Sequence, residues 1–83
     1  MNGEPTHFAP VLYVHRPAQG MDSARVLEFY IRDMYLVTLR EAEMYVTRDE
    51  AYEAARAARE HHTGLLDTPG RVQAAIKPIW MEV

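Results

Sequence analysis

Residues 47–62 read TRDEAYEAARAAREHH, and this stretch decides the fold. Thr47 and Glu50 have the spacing of a capping box, in which the hydroxyl accepts from the first-turn backbone and the carboxylate reaches back. Val46 before the cap and Ala51 four residues into the helix have the spacing of a hydrophobic staple. Alanine, glutamate and arginine, all good helix formers, then run to Glu60. His61 and His62 close the last turn, where a protonated imidazole would suit the helix dipole, and Gly64 stands where a C′ residue belongs. At about 100° per residue, Ala51, Ala54, Ala55, Ala58 and His62 share one sector. Side chains this small let a helix lie close to a sheet whose larger Val, Leu and Phe residues fill the gap.

The same helix carries two further faces. Arg48, Tyr52, Arg56 and Arg59 fall together in a sector about 80° wide, and Asp49, Glu50, Glu53 and Glu60 occupy the next. Arginine forks bind phosphate and carboxylate, and tyrosine stacks, which makes the basic stripe a candidate partner surface. The competing reading is a solvated face in which Glu53 pairs with Arg56 and Arg56 with Glu60, each pair adding about 0.2–0.5 kcal/mol.

Beyond the helix, Thr63 to Gly70 reads as a connection with Pro69 and Gly70. Val72, Ala74 and Ile76 then alternate with Gln73, Ala75 and Lys77. Pro78 interrupts, and Ile79, Met81 and Val83 resume on the other phase, the pattern of an edge strand with a kink or bulge. A short helix from Pro69 to Ile76 is the alternative, capped by Thr68. Toward the N-terminus, Arg25 to Val46 is ambiguous. Leu27, Phe29 and Ile31 alternate with Glu28, Tyr30 and Arg32, which favours a strand, whereas Leu27, Ile31 and Met34 also suit a helix from Ser23 to about Arg40. One or two strands are preferred, although a hairpin would need a turn near Arg32 to Met34, where there is no Gly, Asn or Pro. Arg16 to Ser23 is a loop. Phe8 to His15 is a β-rich strand with Pro10 near its start, a residue tolerated at an edge or a first strand position. Met1 to Thr6 reads as a loose leader. The expected architecture is α+β, one domain over residues 1–83, with a small antiparallel sheet of three to four strands and one packed helix in the order β-β-(β)-α-β.

Composition narrows the function. A chain of 83 residues with 48% hydrophobic and 25% charged residues is an ordinary small globular domain. Its core is small, because such a chain buries only about 60% of its unfolded surface. A net charge of −3 is the wrong sign for coating nucleic acid by bulk charge and too mild for an acidic DNA mimic. The absence of cysteine excludes disulfides and thiolate chemistry and favours a reducing, cytoplasmic setting. The first residues hold Glu4, Pro5, His7 and Pro10 where a signal peptide needs an apolar run, and no apolar stretch is long enough to span a bilayer.

The residues offer little for catalysis. Four histidines, His7, His15, His61 and His62, show no H-x-x-x-H spacing, and adjacent helical histidines point about 100° apart, so no metal is expected. Ser23 is the only serine and lacks a nucleophile-elbow context. No glycine loop suits a phosphate or dinucleotide, Glu41 and Glu43 read as solvated turn residues, and no cofactor is expected. RNA recognition by a sheet needs exposed aromatics on adjacent strands, which Tyr13, Tyr30, Tyr35 and Tyr45 could supply, but the basic residues near them are few: Arg16, Arg25, Arg32 and Arg40. Nucleic-acid binding, through these tyrosines and the arginine-tyrosine helix face, is the alternative function. The stronger signal is surface: Ile79-Trp80-Met81 is strongly apolar, and in a strand Trp80 and Met81 would point to opposite faces. The leading expectation is therefore a non-catalytic protein-binding module that uses Arg48, Tyr52, Arg56, Arg59, Trp80 and Met81, with a possible homodimer through the C-terminal strand and no membrane contact.

In size and pattern, Val37 to Val83 resembles many small phage and bacterial accessory proteins: a short sheet, a T-x-x-E-capped alanine-rich helix and a closing strand. Some of these inhibit host defence complexes, so the resemblance implies an inhibitor of, or bridge to, a larger complex. It carries over no functional residue.

Overall fold

A computed structural model describes residues 3–62 and 72–81. The expected Gly64 cap and the Pro69–Gly70 connection lie outside those residues. The fold is small and α+β: an open four-stranded antiparallel sheet with one helix on one face. The strands are β1 (His7–Arg16), β2 (Arg25–Arg32), β3 (Tyr35–Val37) and β4 (Val72–Ile79), in spatial order β3-β2-β1-β4. The helix α1 spans Arg48–His62. Among the described residues no helix is long and apolar enough to cross a membrane.

Cross-strand pairing separates the two sheet faces. Leu12 lies opposite Phe29 and Ala74, and Val14 opposite Leu27 and Val72. With Ile31 these residues form the core beneath Ala58. Ala51, Ala55 and Ala58 are fully buried, as their shared sector requires. The opposite face holds a second cluster, in which Ala9, Val11, Tyr30 and Ala42 are packed against Tyr13, Val37, Met44, Ala75 and Ile79.

Pro10 does not sit at an edge, because β1 is flanked by both β2 and β4. It is tolerated because the β1–β2 ladder stops there. The ladder runs from Val11–Tyr30 to Arg16–Arg25, and one more step would set Pro10 opposite Ile31. Pro10 has no N–H to give. The Ile31 carbonyl accepts instead from the Glu43 N–H at 2.9 Å. Two residues on, Tyr45 and Phe8 exchange both backbone hydrogen bonds, at 2.7 and 2.9 Å. The segment after β3 thus fills the gap at the end of β2.

The two alternatives for Arg25–Val46 resolve as a hairpin, not a helix. Its turn is the two residues Asp33 and Met34, with φ of 48° and 72°. Both central residues positive is the type I′ geometry that matches strand twist, ordinarily filled by Asn-Gly or Asp-Gly. Here the hairpin forms without glycine, and a single 3₁₀ turn (Leu39–Glu41) follows β3. The last residue of α1 supports that turn. The His62 ring is buried, and its Nε2 donates to the Met34 carbonyl, since a carbonyl only accepts. His62 is therefore a core residue as well as a residue of the last helical turn.

At the other end of α1, the Thr47 hydroxyl accepts from the Glu50 N–H at 3.2 Å. The Glu50 carboxylate reaches back to the Thr47 hydroxyl at 3.0 Å, rather than to the backbone. Val46 is left mostly exposed, so it covers little of Ala51. β4 keeps one register from Val72 to Ile79, straight through Pro78, so the expected kink or bulge is absent. Phe8 spends both backbone groups on Tyr45, which makes Phe8–Pro78 a non-hydrogen-bonded pair. The missing N–H of Pro78 therefore faces the outer edge, where no ladder bond is lost.

Two outcomes are expected. Met34→Ile places a β-branched residue at positive φ and should cost about 1–2 kcal/mol, whereas Met34→Gly should match or exceed the wild type in urea unfolding. Burial, with the Glu43 carboxylate that accepts from the phenol, raises Tyr45 from 10.0 to about 12. The stability it contributes is complete below pH 10.0 and is lost as pH rises through about 12. Ultraviolet titration should show one tyrosine ionising last, and Tyr45→Phe should remove it.

Candidate functional site

The site residues expected from the sequence fall in two neighbouring places. Arg48, at the first turn of α1, sets its guanidinium carbon 5.0 Å from the centre of the Phe8 ring, a cation–π contact. Phe8 pairs with Pro78, two residues before Trp80, so Arg48 and Trp80 stand at the same end of the sheet. Arg56 donates to both carboxylate oxygens of Glu53, at 3.1 and 3.3 Å. Half of the solvated-face pairing is thus present. Tyr52 and Arg59 are exposed on the same stripe.

Trp80 and Met81 lie just past the end of β4, so the expectation that they point to opposite sheet faces does not apply. What holds them is the segment Gly3–Thr6. The Trp80 indole N–H donates to the Gly3 carbonyl at 3.0 Å, and the Met81 N–H donates to the Thr6 hydroxyl at 2.9 Å. The Thr6 N–H donates to the Ile79 carbonyl at 2.9 Å. The indole is oriented by its polar atom, yet Trp80 remains 57% exposed and Met81 46% exposed. Gly3 and Thr6 carry no local sequence signal for this role, because their partners are more than seventy positions away along the chain.

The outer edge of β4 adjoins this corner. Since Phe8–Pro78 is a non-hydrogen-bonded pair, so by alternation are the pairs of Ile76, Ala74 and Val72. Their backbone N–H and C=O groups point away from β1, and no strand among the described residues pairs with that edge.

The sheet face opposite the helix is the other candidate surface. Tyr13, Tyr30 and Tyr35 share it, as register requires, while Tyr45 pairs with Phe8 on the helix side. Tyr35 is 70% exposed, but Tyr30 is buried. The Tyr30 hydroxyl donates to Glu28 at 2.7 Å, and Lys77 approaches the same carboxylate oxygen at 3.5 Å. The Tyr30 hydroxyl, then Lys77, hold the Glu28 carboxyl below its usual range. Lys77 is raised by the same pair, Tyr30 first. An ionised carboxylate thus neutralises the Lys77 cation on this face, which disfavours a phosphate backbone there.

The chain matches no protein-family model, and no curated protein or solved structure gives a significant match.

Because the folded Glu28 carboxyl titrates below its ordinary value of 4.5, its stabilising share is present above that value and is lost as pH falls through the lower one. Glu28→Gln should therefore reduce stability at neutral pH, and the gap to wild type should close in acid-unfolding curves below pH 4.5.

Proposed function

We propose that this chain is a non-catalytic protein-binding module whose anchor is the Trp80–Met81 corner together with the outer edge of β4. The observation that carries the reading is an indole fixed by a hydrogen bond to Gly3 yet left 57% exposed. A large aromatic side chain already ordered in the free protein loses little further entropy on binding, which is how hot-spot residues contribute. Beside it, the outward amides of Val72, Ala74 and Ile76 suit strand addition. Arg48 extends the same end of the molecule, and Tyr52, Arg56 and Arg59 continue along the helix as a polar rim.

The simplest occupant is a second copy. Two β4 edges meeting antiparallel about a two-fold axis would continue the sheet and bring both Trp80 corners into one interface. A larger complex that the module covers, bridges or inhibits is the heterologous form of the same reading. Nucleic-acid binding through the arginine-tyrosine helix face is the rival; a steep fall of affinity with salt would mark it.

Sedimentation equilibrium across a concentration series tests the second-copy form. The expected result is a dimer weakened about tenfold or more by Trp80→Ala. Ala74→Pro should weaken it too, because it removes an outward donor and leaves the β1 ladder intact. A wild-type monomer at every concentration eliminates the homodimer. In partner capture, unchanged binding by both Trp80→Ala and Arg56→Glu would sink the module reading altogether.

A further inference from the structure

At the end of β1 that runs beyond its last pair with β4 lies an open depression of about 300 Å³, lined by His15, Arg16, Pro17, Ala24, Arg25 and Val26. Arg16 and Arg25 are the last pair of the β1–β2 ladder and stand directly opposite one another. Opposed residues share a sheet face with Cβ atoms about 4.5–5.5 Å apart, and like charges in that position repel. Neither guanidinium has an acidic partner among the described residues. Four of the other cations are engaged: Arg32 with the Glu41 carbonyl, Arg48 with Phe8, Arg56 with Glu53 and Lys77 with Glu28; Arg40, on the 3₁₀ turn, makes no ion pair among the described residues either. The strand connection holds one carboxylate, Asp22, which sits at the tip turn with its backbone bonded to Gln19 and makes no ion pair among the described residues. His15 stands at the rim, its Nε2 donating to the Gln73 side-chain oxygen at 3.3 Å.

We propose that Arg16 and Arg25 form a binding site for a phosphate group. A phosphate dianion has enough oxygens to accept from two guanidinium forks at once and cancels their mutual repulsion, whereas one carboxylate satisfies a single fork. The depression is open rather than enclosed, so it takes an exposed phosphoryl group, either of a small phosphate ester or of a single-stranded nucleic-acid backbone. The site is separate from the Trp80 corner: Val14 pairs with Val72 at this end of the sheet, and His7 with Ile79 at the other.

The test is nuclear magnetic resonance titration of the whole chain with pyrophosphate at constant ionic strength, with chloride as the control. Saturable shifts are expected at the amides of His15, Arg16, Ala24, Arg25 and Val26. The double variant Arg16→Gln/Arg25→Gln should weaken binding roughly tenfold or more. Without ligand, Arg25→Gln should melt higher than wild type at low salt, by a margin that salt erases. Trp80→Ala should leave pyrophosphate affinity unchanged, which separates this site from the protein-binding reading. A parallel titration with a short oligothymidylate identifies the source of the phosphate. Tighter, salt-steep binding through the same amides identifies a nucleic-acid backbone, and binding no tighter than pyrophosphate identifies a free ester. Shifts that rise without saturating for both probes, or equal affinity in the double variant, overturn the proposal.

Discussion

Pro10 has no amide hydrogen to offer Ile31, and that missing donor organises much of the molecule. The β1–β2 ladder ends at Val11–Tyr30, and the Ile31 carbonyl takes its hydrogen bond from Glu43. A buried carbonyl left unpaired would cost about 1–3 kcal/mol, so the chain after β3 is drawn into the gap. Tyr45 then pairs with Phe8, and two residues later Thr47 caps α1. The helix therefore starts beside Phe8, where Arg48 meets the ring, and finishes with His62 on the carbonyl of the β2–β3 turn. One backbone vacancy in a central strand thus sets where α1 begins, and a buried histidine ties down where it ends.

The alanine stripe is the packing counterpart of that placement. Ala51, Ala55 and Ala58 permit close approach, and Leu12, Val14, Ile31 and Val72 supply the volume. Tying both helix ends to the sheet matters more in a chain of this size, because its core alone yields little stability. The second face of the sheet is closed by side chains instead of a layer: Tyr30, Met44 and Ile79 close over Ala9 and Val11, with the Glu28–Tyr30–Lys77 network at their margin.

The two ends of β1 differ in chemistry. One end is apolar and ordered, with Trp80 and Met81 held against Gly3 and Thr6. The other is basic, with two arginines facing each other across a ladder and a strand connection whose tip exposes Met21 fully. The apolar corner and the charged pair thus lie at opposite ends of β1.

The helix was legible because every signal for it is local. A cap, an alternation of small and charged residues and a 3.6-residue period all lie within sixteen positions, and His62 fell in the apolar sector on that period alone. Strand identities were legible from equally local signals, at Phe8–His15 through a run of β-favouring apolar residues and at Val72–Ile76 through a two-residue period. The β2–β3 turn was not, because Asp33 and Met34 carry no glycine signal; tertiary support, including the His62 hydrogen bond, holds them at positive φ. Nor did sequence place Pro10 in a central strand, since a proline shows only that a donor is missing, not which neighbour compensates. The surroundings of Trp80 and the opposition of Arg16 to Arg25 arise from pairing between distant segments, and local periodicity holds no information about strand order or register. Residue type and spacing thus determined α1, its buried face and the strand character of β1 and β4, and left β2 and β3 open. Tertiary structure alone decided which edge stays open, which aromatic is left exposed and which charges face each other, because those depend on backbone hydrogen bonds between segments far apart in the chain.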